Sequence, residues 1–285
     1  MSRFIGRRDF IGVTAAAIAG YRVGTAFAQR APETKLGAIG LQLYTLRDMM
    51  KKSVPRTLAA VAKAGYTEVE FAGYFNTPAT QIRKMLDDNG LTSPSAHVSM
   101  TDIGQMWETF LDDANTLGQK YLTVAWIDAP ERTLDGYKRI ADRFNAAGSK
   151  ARQKGVQLAY HNYSYEFAAV DGRIPYELLL QECDPKNLAM EVDVFWMRQA
   201  GSDPLQWFAK YPGRFPMLHA KDMGPPPKRR MVDVGKGVVD WKSIFAHSEQ
   251  AGLRHVFVEH DDPKEPLDSI RNSYRYLRAL RFSKG

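Results

Sequence analysis

A single cysteine, Cys183, stands in 285 residues. No internal disulfide is available, so the fold must rest on its core. The chain has no low-complexity segment, no short repeat and no local metal motif of the His-Glu-x-x-His or Cys-x-x-Cys kind. Its first strand-like run, "LQLYTLRD", is not followed by the glycine-rich turn of a dinucleotide fold. It also lacks a dense basic stripe. Lys+Arg number 39 against 32 Asp+Glu, a net +7, and "PPPKRR" (Pro225 to Arg230) is the only basic cluster. A nucleic-acid footprint would be denser, so no nucleic-acid partner is expected.

The first thirty residues read "MSRFIGRRDFIGVTAAAIAGYRVGTAFAQR". Paired arginines (Arg7, Arg8) precede Phe10 and an alanine-rich apolar run, and "AFA" (Ala26 to Ala28) supplies the small residues that a signal peptidase reads. The run is too short and too weakly apolar for a permanent membrane anchor. Basic, apolar and small-residue segments follow in export order, which favours a twin-arginine signal over an amphipathic first helix. The expectation is a signal over 1–28, cleaved near Ala28, a domain over 29–285, and a periplasmic location. Removing Arg3, Arg7, Arg8, Arg22 and Asp9 takes Lys+Arg from 39 to 35 and Asp+Glu from 32 to 31, so +7 becomes +4. Self-association into a homo-oligomer is compatible with this composition.

What the rest of the chain does have is alternation. Strand-like runs begin at Ala38, Thr67, Ser93, Tyr121, Val156, Leu188, Phe215 and His255. Amphipathic stretches lie between them. In "VPRTLAAVAKAG", Leu58, Val61 and Ala62 fall on one face; in "TDIGQMWETFLDDANTLGQ", Met106, Phe110 and Leu117 do, with Thr101-Asp102 as the cap. Gly65 and Gly90 close helices. Eight strand–helix alternations in one domain-sized chain argue for an α/β fold of the (β/α)8 TIM-barrel type over a doubly wound open sheet.

In such barrels chemistry sits at the C-terminal ends of the strands. The runs end in Glu70, His97, His161, Asp193, His219 and Glu259. Each alone reads as a hydrogen-bonded strand-end residue. Together, imidazoles and carboxylates converging on one small mouth suit one divalent ion of the Mn2+, Co2+, Zn2+ or Fe2+ class.

The stretches "AGYTEVEFAGY", "LAYHNYSYEF", "EVDVFWMRQAGSDP", "YPGRFPMLHAKDM", "VGKGVVDW" and "FVEHDDP" together resemble the sugar phosphate isomerase/epimerase family, the xylose-isomerase-like TIM barrels, and its exported members in particular. The resemblance covers nearly all of residues 29–285. It implies one divalent ion, commonly Mn2+, held at the ends of strands five to eight by His161, Asp193, His219 and Glu259. Where better-known epimerases carry glutamate at the fifth position, this chain has His161, which can ligate but cannot act as a carboxylate base. The resemblance further implies a small carbohydrate substrate and proton abstraction next to a carbonyl through an enediolate. Glu259 would be one base; His161 or Glu166 would be the second. A reaction with one base and one acid is elimination, as in relatives that dehydrate keto-inositols or cleave keto-glycosides, so a lyase stands beside the isomerase/epimerase expectation. A barrel that binds sugar without turning it over is the non-enzymatic alternative. A three-metal nuclease of the same fold would need more ligands and a basic face.

Four further residues are expected to contact substrate: Glu70, whose alternative is a supporting hydrogen bond or ion pair, His97, Lys221 and Trp196. Lys221 shares the face of His219 by strand alternation. Asp222 is expected in the following loop, supporting the site or capping a helix. Glu191, two residues deeper than Asp193, reads as an alternative ligand or a buried hydrogen-bonded carboxylate. Trp126 is a second stacking candidate. Gly235 and Gly237 mark a turn that leaves Lys236 free to reach an anion.

Overall fold

Each apolar run yields one strand of a closed parallel barrel. A computed structural model describes residues 33–284; the expected signal over 1–28 lies outside them. The strands are β1 (Gly40–Gln42), β2 (Glu68–Phe71), β3 (Thr92–Val98), β4 (Tyr121–Val124), β5 (Gln157–His161), β6 (Leu188–Asp193), β7 (Met217–Ala220) and β8 (His255–Val258). They pair in sequence order, and β8 closes on β1 through Phe257 against Gly40. This is a (β/α)8 barrel.

Outer helices follow the strands in turn: α1 (Val54–Ala64), α2 (Ala79–Asp88), α3 (Trp107–Leu117), α4 (Leu134–Gln153), α5 (Pro175–Glu182), α6 (Pro204–Lys210), α7 (Trp241–Ala246) and α8 (Pro266–Ala279). Local chemistry sets their ends. Ser53 caps α1, which closes at Gly65 in the left-handed region (φ 105°), where a side chain would be strained. Tyr137, Ile140, Ala141, Phe144, Ala147 and Ala151 recur at three- and four-residue spacing on α4 and are buried. Among the described residues, no helix is long and apolar enough to cross a membrane.

Two helix expectations need correction. Met106 is exposed, because the chain breaks there between a short turn (Asp102–Gln105) and α3. The buried face of α3 is Trp107, Leu111, Ala114 and Leu117. Thr101 does not cap that turn. Ser99 and Asp102 do so reciprocally, at 2.7 and 3.1 Å.

Two cores result. The larger lies between the strands and helices. A smaller one, of Tyr121, Ala159, Ala189, Met217 and Phe257, fills the lower barrel interior. Above this plug the inward positions turn polar. Strand alternation carries Ala159 to His161, Ala189 to Glu191 and Asp193, and Met217 to His219.

Candidate metal centre and active-site cleft

The inward residues at the ends of β5 to β8 meet at one point. Ligand atoms of His161, Asp193, His219 and Glu259 all lie within 4.8 Å of one another, and all four side chains are buried. His161 Nε2 is 3.2 Å from Asp193 Oδ2, and His219 Nδ1 is 2.7 Å from Glu259 Oε2. The backbone holds this arrangement. Asn162 bridges β5 to β6, accepting from Asp193 N at 3.0 Å and donating to Asp193 O at 3.2 Å. Asp193 Oδ1 accepts from Trp196 N and caps the helix Val194–Gln199, which leaves Oδ2 for the cluster.

Two buried imidazole nitrogens, His161 Nδ1 and His219 Nδ1, have no hydrogen bond. His219 Nδ1 faces Glu259 Oε2 out of hydrogen-bonding alignment, and the same oxygen is ion-paired with Lys221 Nζ. Two imidazoles and two carboxylates form an appropriate donor set for a divalent ion. Charge argues the same way. Glu70, Glu191, Asp193, Glu259 and Asp261 gather here against the one ammonium of Lys221. The residues fit a divalent cation.

His219 is oriented from below. Its Nε2 lies 2.6 Å from Glu70 Oε2; an ionised carboxylate only accepts, so Nε2 carries the hydrogen, and a cation replacing the Nδ1 proton would meet the Nδ1 lone pair of a neutral ring. Glu70 is held in turn by Gln42 Nε2 at 2.8 Å and Ser95 Oγ at 2.6 Å. Glu70 therefore does not contact substrate, the first of its expected roles, but takes the alternative of a supporting hydrogen bond. It is fully buried beneath the imidazole. Glu191 lies beside it, 3.0 Å from His97 Nε2 and 3.3 Å from His219 Nε2. Glu70, His97, Glu191 and His219 form a second group with cation-ligand spacing, its side chains tied by these contacts.

Electrostatics follow from burial and neighbours. Burial opposes charge on His219, but Glu191, Glu259 and Glu70 outweigh it and hold its pKa well above the ordinary value. Burial lowers that of His161 despite Asp193. Burial opposes ionisation of Glu259, yet Lys221 and His219 hold its carboxyl well below the usual range. Lys221 Nζ sits 3.0 Å from Asp193, 2.8 Å from Glu259 and 2.8 Å from Asp261. Burial and the charge of Glu259 push Asp261 up to about 6 against the pull of Lys221.

The cluster floors a cleft of about 990 Å³. His97, His161, Lys221, Glu259 and Asp261 line its base; Tyr44, Tyr74, Phe75, Phe110, Trp126 and Tyr163 supply aromatic walls. Phe75 and Asn76 both have positive φ (51° and 54°), a strained conformation for a bulky ring.

Two expected participants are elsewhere. Glu166 does not reach the mouth. The chain leaves β5 after His161 and turns through Tyr165–Phe167, burying the carboxylate behind the strand. There it accepts from the Tyr160 hydroxyl and, at 3.0 Å, from Tyr163 N. Trp196 is not at a strand end but in the helix that Asp193 caps; it packs on Tyr163 (5.4 Å between ring centroids) and does not line the cleft. Asp222 supports a loop, accepting from Met223 N, Gly235 N, Gly237 N, Val239 N and Trp241 Nε1. Lys236 is paired with Asp233 at 2.8 Å. Asp261 and Tyr163 were not anticipated, although the alternation that joins Lys221 to His219 also joins Asp261 to Glu259 and Tyr163 to His161.

Residues 58–280 match the family described as xylose isomerase-like TIM barrel. The chain belongs to that family. Within the xylose isomerase-like barrels it is similar to the inosose dehydratase of Lacticaseibacillus casei, 26% identical over 172 residues, or 53% of this chain; the match spans only 57% of that relative's length. It is also similar to the inosose dehydratase of Geobacillus thermodenitrificans (strain NG80-2), 21% identical over 262 residues, covering 78% of this chain and 87% of the relative. Among solved structures, a sugar phosphate isomerase/epimerase from Parabacteroides distasonis ATCC 8503 superposes with a TM-score of 0.74 at 28% identity, covering 86% of this chain and 95% of that one. In this member of the xylose isomerase-like barrels, the end of β5 carries an imidazole.

Proposed function

We propose that the protein is a divalent-metal-dependent lyase that removes a proton from the carbon beside a ketone in a sugar or cyclic polyol and expels the β-substituent. The observation that carries this reading is the position of two carboxylates at the base of the cleft. Glu259 and Asp261 both leave the end of β8 and are joined through Lys221 Nζ. Epimerisation needs proton exchange on two opposite faces of the carbon. A syn elimination needs only a base and an acid that reach the same side. With His161 on β5 and Glu166 turned away, the same-side arrangement is the one available.

His161, Asp193, His219 and Glu259 would hold the cation, which supplies stabilisation for negative charge developing on the carbonyl oxygen. The second imidazole tilts the donor set from Mn2+ toward Zn2+ or Co2+. Glu259, kept ionised, takes the proton. Asp261, hydrogen-bonded to Lys221, delivers a proton to the departing oxygen as the carbon–carbon double bond forms. His97 binds a ring hydroxyl, and Tyr163 and Trp126 shield the base of the cleft from water. The names of the dehydratase relatives support the lyase. The name of the Parabacteroides distasonis structure supports isomerase/epimerase activity as a second reading, for which the same-side pair suits isomerisation, a proton moved between neighbouring carbons on one face.

Keto-sugars and keto-inositols incubated with the metal-loaded protein in D2O, followed by NMR, separate these readings. An unsaturated or cleaved product is expected. Solvent deuterium in a recovered stereoisomer would favour the isomerase/epimerase, and no exchange with any substrate the binding barrel. Periplasmic export is also proposed, from residues 1–28 alone, and favours free sugars or glycosides over sugar phosphates. An intact N-terminus on protein recovered from its host would count against it.

A further inference from the structure

A second cavity, of about 570 Å³, opens at the other end of the barrel, among residues at the starts of β4, β5 and β8. Lys120, Arg152, Lys186 and Arg254 line it, and no aspartate or glutamate does. None of these four side chains has an ion pair or hydrogen bond among the described residues. The contrast with a neighbour is informative: Lys154, in the same turn as Arg152, reaches Asp112 at 3.1 Å.

The cavity also has a donor at its inner wall. Tyr121 is 6% exposed and its ring belongs to the apolar plug, while its hydroxyl makes no hydrogen bond among the described residues and is left open to the cavity. It lines the cavity with its ring edge-on to His255, 5.9 Å between centroids. His255 Nδ1 is fixed by Glu68 at 2.9 Å. Four unpaired cations round one cavity repel one another.

We propose that this cavity binds a tetrahedral oxyanion, phosphate or sulfate, free or as an ester of a small molecule. Arg254 and Arg152 provide forked donors, Lys120 and Lys186 mobile charge, and the Tyr121 hydroxyl a fixed donor at the inner wall. The volume lies within the roughly 300–1,000 Å³ of small-molecule pockets, which leaves room for the organic part of an ester. The plug of Ala159, Ala189, Met217 and Phe257 separates this site from the cleft, so it does not rest on the proposed reaction.

Isothermal titration of the metal-loaded protein at constant ionic strength provides the test, with inorganic phosphate, inorganic sulfate and glucose 6-phosphate as probes and glucose and chloride as controls. Saturable binding of the oxyanions and none of the controls is expected. Equal affinity for phosphate and its ester assigns the free ion; preference for glucose 6-phosphate assigns the ester. Phosphate could also meet a cation in the cleft, so variants locate the site. Lys186→Gln/Arg254→Gln and, separately, Tyr121→Phe should each weaken phosphate at least about tenfold with metal content unchanged. The two charged positions are exposed, and Tyr121→Phe keeps the ring in the plug. Wild-type affinity in both variants, or no saturable binding to the parent protein, would overturn the proposal.

Discussion

Replacing Glu166 with glutamine should make the protein relatively more stable as pH rises. The carboxyl is fully buried behind β5, and desolvation raises its pKa from the ordinary 4.5 to about 7 against the opposing hydrogen bonds from Tyr160 and Tyr163. The folded state thus holds this proton more tightly than the unfolded chain does. Stability contributed by the neutral form is complete below pH 4.5 and is lost as pH climbs toward 7. Each unit is worth about 1.4 kcal/mol, so moving from pH 5.5 to pH 8 crosses about 1.5 units of that window and costs the parent about 2 kcal/mol. Glutamine has no proton to lose. Its carbonyl can accept from Tyr163 N while its amide donates to the Tyr160 oxygen, so both contacts survive. Urea denaturation of parent and Glu166→Gln at the two pH values gives the difference directly, because titrations at the metal centre are common to both and cancel. A difference between the two proteins that does not change with pH would refute the argument.

Three further outcomes are expected. Glu70→Ala removes the hydrogen-bond partner of His219 Nε2 and should weaken the cation about 10–100-fold, read by competition with a chelator. Lys221→Met leaves Asp193, Glu259 and Asp261 facing one another; it should destabilise the chelator-treated protein by about 3–5 kcal/mol, and less once a divalent ion is restored, by thermal or urea unfolding. On α4, a Cβ at Gly148 would meet Asn187 O at 2.1 Å, so Gly148→Ala should cost about 1–3 kcal/mol by urea unfolding with the metal content unchanged.

The barrel was legible because each apolar run is bounded by polar or turn residues and its inward positions alternate. The same alternation brings His161, Asp193, His219 and Glu259 to one mouth. What escaped depends on how the chain leaves a strand. Asp193 caps a helix, so Trp196 turns on helical geometry and not strand geometry. Past His161 the chain folds back, so Glu166 lands behind its own strand. The pairing of Glu70 with His219 joins residues 149 apart across the barrel, and no local pattern reports it. Lys236 looked free because its partner Asp233 lies in the same turn, where pairing depends on side-chain reach.

One ring belongs to both four-residue groups. His219 answers to the barrel interior through Nε2 and to the mouth through Nδ1. An ion drawing electron density from Nδ1 would make the Nε2 hydrogen more acidic and tighten its hold on Glu70. Glu70 is shared with His97, whose nitrogen lies 3.3 Å away and whose ring borders the cleft. If such an ion binds, its loading and the grip on a ligand resting against His97 would be reciprocal, each altering the affinity of the other by the same factor. A barrel wired in this way would discriminate against its own unloaded form at the docking step, before any bond is broken.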